Sequence, residues 1–291
     1  MRRLYQRLRL KSGVPALAAM LSALAFGGGA AHAAAANAPF LAHQAVYDLS
    51  LLKARGNASI DNARGRILYN FSGSTCEGYT SEFRQVSELD NGEGKKTLSD
   101  LSSTSWEAAD GKSYRFKINT RMNDSDPTDI DGVAERTGDH ITVKLKQPTA
   151  KTLTLDGSTV FPTEQIRRII DAAREGKSLL ELTVYDGSDN GEKLYNTLTV
   201  IGKPIAGDKA AATPDPATSN DKMKALTRWP VTVSYYDRDA KAKDGEQTPV
   251  YAMSFELFEN GVSRALMLDY NDFVISGAMG KFDVKDSKPC K

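Results

Sequence analysis

The residues with the most reactive chemistry are few and far apart. Two cysteines, Cys76 in FSGSTCEGYTSEF and Cys290 in the terminal DSKPCK, stand more than two hundred positions from each other. Three histidines occur: His32, His43 and His140. A Cys–His nucleophile needs the two side chains brought together by the fold, and no spacing here announces it. No C-x-x-C exists, so a thioredoxin-type redox role lacks support. Two histidines near the fold and no H-E-x-x-H cannot make a three-His zinc site. The stretch NDSDPTDIDG offers Asp124, Asp126, Asp129 and Asp131 before Gly132, which is the raw material of a calcium loop. Pro127 and the spacing to any closing Glu break the EF-hand pattern, so a solvated turn is the main reading. G-x-S-x-G, Walker A and G-x-G-x-x-G are absent. A carboxylate pair for glycoside cleavage can come from distant strands, and nothing in the sequence singles one out. The sequence therefore assigns no catalytic residue, no metal ligand and no cofactor.

The compartment gives the cysteines their meaning. MRRLYQRLRLK carries five basic residues and no acid. An apolar run of about 13 residues follows, VPALAAMLSALAF, too short to span a bilayer. Small residues come next, and Ala31-His32-Ala33 fits an A-x-A cleavage site. Residues 1–33 are thus expected to be a secretory signal peptide, with a retained anchor helix as the alternative, and the Ala- and Arg-rich leader points to the bacterial periplasm. Of 38 basic and 37 acidic residues, cleavage would leave 33 basic against 37 acidic. That mildly acidic balance is unsuited to nucleic acid. No later segment has 18 consecutive apolar residues, so no membrane span is expected after cleavage. In an oxidising compartment two cysteines read as one disulfide, Cys76–Cys290, with two free thiols as the alternative. The chain-entropy account gives such a long loop about 5 kcal/mol, as an upper figure.

The elements that must position these groups are mostly strands. Ala45, Tyr47, Leu49 and Leu51 alternate on one face; so do Ile67, Tyr69 and Phe71. Tyr114, Phe116 and Ile118 oppose Arg115, Lys117 and Asn119, and Ile141, Val143 and Leu145 repeat the pattern. LLELTVYDG, KLYNTLTVIGK and PVTVSYYDRD follow, and VYAMSFELFENGVSRALMLDY reads as two strands around Asn260-Gly261, a strong hairpin signal. One apolar and one polar face per strand predicts an antiparallel sheet curled around a core. YDGSDNGEK, 185–193, reads as a turn between strands.

One stretch breaks the rhythm. In FPTEQIRRIIDAAREGKS, Ile166, Ile169, Ile170 and Ala173 share a helical face. Pro162 suits the first turn, Thr163 is the expected cap and Gly176 the stop. Glu164–Arg168 and Arg167–Asp171 are expected i,i+4 pairs. This helix is expected either in the mouth of the curled sheet or as a surface crossover. Residues 206–222, AGDKAAATPDPATSNDK, lack apolar periodicity and read as a flexible loop within one domain spanning 40–291.

The runs HQAVYDLSL, ARGRILYNFSGSTCEGYTSEFRQVSEL and TLSDLSSTSWEAADGKSYRFK resemble the EipB family of periplasmic cell-envelope integrity proteins. FPTEQIRRIIDAAREG and DFVISGAMGKFDVKDSKPC extend the resemblance over most of residues 40–291. It implies a mainly β fold, an antiparallel β-spiral or broken β-barrel with one amphipathic helix, and a disulfide falling on Cys76 and Cys290. The architecture is similar to lipoprotein carriers, a likeness of fold that transfers no site. The function expected is non-catalytic support of the envelope by binding a lipid-like ligand or a periplasmic protein partner. A hydrolase acting on envelope glycan or lipid is the alternative.

Overall fold

The computed structural model describes residues 40–55, 60–240, 247–286 and 290. The expected signal peptide and its cleavage site lie outside the described residues. Alternating side chains build fourteen strands in one antiparallel sheet. The first eight are β1 (His43–Ala54), β2 (Asn62–Ser74), β3 (Gly78–Asp90), β4 (Lys96–Glu107), β5 (Ser113–Met122), β6 (Thr128–Thr137), β7 (His140–Gln147) and β8 (Lys151–Asp156). The helix α1 (Pro162–Arg174) follows. Then come β9 (Leu179–Val184), β10 (Tyr195–Ile201), β11 (Arg228–Asp237), β12 (Tyr251–Phe258), β13 (Ser263–Asp269) and β14 (Phe273–Val284). The strand order runs from β8 down to β1, then β14 down to β9. The first and last strands of the chain therefore lie side by side mid-sheet, and β8 and β9 are its two edges.

The edges approach without closing. Val160, just past β8, makes a parallel bridge to Val184 of β9, with Val160 N–H donating to Thr183 at 2.9 Å. Register shifts in β1 against β14, between Val46 and Tyr47 and between Leu51 and Lys53, mark irregular pairing of the kind that bends a strand and sharpens its twist. The expected broken barrel is what the sheet forms. Its inward residues are those the alternation named: Ala45, Tyr47, Leu49, Ile67 and Phe71 are all buried.

The stretch 206–222 is a loop, as its lack of periodicity predicts, and it is tied down at several points. It carries no strand or helix, yet Ala217 and Met223, just past its end, are fully buried in the core. Asp215 binds the buried Arg264 of β13 at 2.6 Å, and Arg264 also reaches Glu256 and the Thr213 carbonyl. Arg228 adds Glu256 at 2.7 Å and the Lys209 carbonyl at 3.2 Å. A strap with only isolated apolar residues shows no periodicity, so its anchoring by an ion network leaves no pattern in the sequence.

Candidate functional site

The helix enters the interior of the curl. Ile169, Ile170 and Ala173 are buried with residues of β1, β2 and β11–β14 in one core cluster, and Ile166 packs against it. The mouth position is therefore the one adopted. Gly176, at φ 74°, ends the helix: its N–H bonds Ala173 and that of Lys177 bonds Ala172 at 2.9 Å, which satisfies the last carbonyls.

The start of the helix is a correction. Thr163 is not its cap, and Phe161 in the capping position offers no side-chain bond. The carboxylate of Glu107, at the end of β4, accepts the N–H of Thr163 at 2.7 Å and of Glu164 at 2.8 Å. A helix that begins inside a sheet has orphan donors that water cannot reach, so the sheet must supply the acceptor. Burial pushes the Glu107 carboxyl up to about 7 against the two helix donors, which favour its charge. Glu164–Arg168 forms at 3.0 Å as expected. Arg167 instead donates to the Ala109 carbonyl and lies over the rings of Phe40 and Tyr79.

Between helix and sheet a cavity of about 470 Å³ remains. Its walls include Tyr47, Ile67, Phe83 and Leu101 from one half of the sheet and Met253 and Leu268 from the other, with Ile166 from the helix. No Asp, Glu, Lys or Arg lines it among the described residues. The hydroxyl groups present are held neutral: burial raises the Tyr47, Tyr69 and Tyr251 phenols. Uncovered apolar walls of this kind suit an apolar chain.

A smaller chamber of about 120 Å³ shares Tyr69, Ile166 and Gly261 with the cavity. Its polar walls are His43, Ser81, Ser105, Thr163 and Asn260. Gly261, in the expected hairpin turn at φ 86°, brings its backbone against the Phe40 ring, where a Cβ would lie 2.4 Å from a ring carbon.

The other sequence candidates disperse. His43 is buried at the start of β1, whereas His140 is exposed beside Asp139. Asp124 and Asp126 sit in an exposed turn; Asp129 accepts Asn119 at 2.8 Å, and Asp131 lies 3.7 Å from Lys146. No group of three or more His, Cys, Asp or Glu that could hold a metal occurs among the described residues. Trp229 is core; Trp106 lies nearer the surface, under Arg115, donating to the Glu77 carbonyl. Cys76, in the β2–β3 turn, and Cys290 are joined by a disulfide with Cα atoms 5.8 Å apart. It ties the tail beyond β14 to the rim of the curl.

Sequence reasoning missed Glu107 and the cavity walls on β3, β4 and β12. The cap comes from a residue 56 positions before its partner, which no local motif encodes.

Comparison with known proteins agrees with this architecture. The cell envelope integrity protein EipB of Brucella abortus is 36% identical over 260 residues, covering 89% of each chain. The crystal structure of a beta-barrel-like protein of a domain of unknown function, DUF1849, also from Brucella abortus, superposes with a TM-score of 0.76. It is 34% identical and covers 86% of this chain and 100% of its own. The EipB-like family model matches residues 34–286, and with that match the chain belongs to the EipB-like family.

Proposed function

We propose that this protein is a non-catalytic periplasmic binder that supports envelope integrity by holding the apolar chain of a lipid-like molecule between α1 and the sheet. The observation that carries this reading is the apolar cavity of about 470 Å³. Leaving such surface without a partner forgoes about 25 cal/mol for each Å² that an apolar ligand would cover. The name of the Brucella relative, cell envelope integrity protein, supports the setting. The arginine- and alanine-rich leader supports export to the periplasm. No helix among the described residues is long and apolar enough to cross a membrane.

Two rival readings have less behind them. A protein partner pairing with a sheet edge would find only six-residue strands, β8 and β9. A hydrolase would need a polar reacting centre; of the two buried carboxyls raised by burial, Glu107 already spends both oxygens on the helix and Asp186 accepts the Ser188 N–H. The test is extraction of gently purified protein with organic solvent, followed by mass spectrometry. A bound amphiphile in stoichiometric amount is expected. No extracted lipid, together with no binding of a neutral apolar fluorescent probe, would sink the reading. Turnover of phospholipid or peptidoglycan would replace it with the hydrolase.

A further inference from the structure

His43 lines the small chamber, and its ring carries a buried polar atom that the fold leaves unmet. The His43 ring is buried among Tyr69, Phe71 and Phe282, with centroids 5.7, 6.1 and 5.6 Å away. Its Nδ1 lies 2.7 Å from the Leu41 carbonyl, an acceptor, so Nδ1 carries the proton. Burial lowers the His43 pKa, which keeps the ring neutral. Nε2 then presents a lone pair, and it has no hydrogen-bond partner among the described residues. A buried acceptor left unmet is costly, and each such group in a folded protein calls for a reason.

The chemistry around it narrows the reason. Ser81, Ser105, Thr163 and Asn260 make this end polar, whereas the adjoining cavity is apolar. No Lys or Arg among the described residues lines either space. The Glu107 carboxylate stands behind Thr163, whose N–H it accepts. An anionic head would meet a lone pair and a nearby acid, while Arg167, which lies over the chamber wall Phe40, is engaged by the Ala109 carbonyl. A neutral hydroxyl meets a matching acceptor.

From the adjoining chambers and the unmet Nε2 we infer that the ligand is an amphiphile with an uncharged, hydroxyl-bearing head, its tail in the apolar cavity and its hydroxyl donating to His43. This rests on the cavity-binding reading above and goes beyond it by naming the head group and the residue that reads it. At about 120 Å³ the chamber suits a head of a few heavy atoms, such as glycerol in ester linkage.

The experiment displaces the neutral probe N-phenyl-1-naphthylamine from the full mature protein with three competitors of equal chain length, near neutral pH. They are monolauroylglycerol, methyl laurate, which lacks a donor, and dodecanoate, which is anionic. Monolauroylglycerol is expected to compete about tenfold better than either of the others, the size of one buried hydrogen bond. In His43→Phe that preference should vanish while methyl laurate competes as before. Should the variant fail to fold, nitrogen NMR of the wild type reports the same contact: the His43 Nε2 resonance shifts with monolauroylglycerol and stays put with methyl laurate. Equal competition by all three, a preference that survives in His43→Phe, or an unmoved Nε2 resonance overturns the assignment while leaving the cavity reading standing. Failure of the probe to bind, together with no lipid recovered by solvent extraction, removes both.

Discussion

The two ends of the curled sheet are built from the same alternating strands and finished differently. At one end, Tyr114, Phe116, Ile130, Ile141, Val143 and Leu145 from β5–β7 surround Phe161 and Tyr185 in a closed cluster. Tyr114 stacks on Phe161 at 5.1 Å, and Phe116 meets Tyr185 edge-on at 5.7 Å. The 185–193 turn plugs this end: the Tyr185 hydroxyl donates to the Gly191 carbonyl at 2.7 Å, and Gly187 lies so close to Phe116 that a Cβ would sit 2.4 Å from the ring. At the other end, α1 and β1–β4 with β11–β14 enclose a larger cluster that keeps its cavity. The filled end is a place to store stability, and the other end keeps unfilled space. The difference lies in what is inserted, the loop with Tyr185 and the Phe161 ring before the helix against a helix face with one spare isoleucine, Ile166.

The harshest test of that contrast is Phe161→Ala. The ring is fully buried and packed on all sides, so its removal should cost about 4 kcal/mol in urea unfolding. A cost near 1 kcal/mol would mean that the filled end collapses easily and is not the rigid one.

Glu107 lies between the two ends and gives the next effect. Its folded pKa of about 7 exceeds the ordinary 4.5, so the folded state favours the protonated carboxyl. That contribution is fully present below about pH 4.5 and is lost as pH rises through about 7. The change is on the order of 3 kcal/mol over this window. Glu107→Gln should lower stability overall, because an amide cannot accept both helix N–H groups, and should flatten the dependence between those pH values. An unchanged slope in the variant would place the titration elsewhere.

Loss of the disulfide should act on the open end alone. Cys76 precedes Tyr79, and the tail carrying Cys290 follows Phe282; both aromatics belong to the larger cluster. Cys76→Ser or Cys290→Ser is expected to cost about 2–3 kcal/mol. Faster hydrogen exchange should appear in β2 and β14 but not in β6 and β7. A melting curve equal to wild type, or two reactive thiols in native protein, would contradict the bond's role.

How much of this was legible in the chain follows from the range of each interaction. Tyr47, Ile67, Phe116 and Val143 face inward because a strand has a period of two, and period is a local property. The helix boundaries follow from Pro162 and Gly176, again local. Glu107, Phe83 and Met253 were not singled out. Their roles depend on strands brought together across the sheet, and the alternation that marks an inward face is silent on whether the space behind it is full. The anchoring of the 206–222 loop is silent in the sequence for the same reason, since Asp215 finds Arg264 at a separation of 49 residues.

The smallest expected effect is the most discriminating. Phe83 of β3 is half-buried and faces the cavity. Its ring lacks partner atoms on one side, so it has already forgone part of the dispersion that Phe161 enjoys. Phe83→Ala should therefore cost about 1 kcal/mol in urea unfolding, a fraction of the cost of Phe161→Ala, because it widens an existing space instead of opening a new one. The same substitution should weaken binding of a neutral apolar probe severalfold, since it strips a wall from the site. Equal destabilisation by the two substitutions would mean that the sheet closes on Phe83 in solution. In that event both ends of the molecule are filled, and the case for a bound chain loses its physical basis.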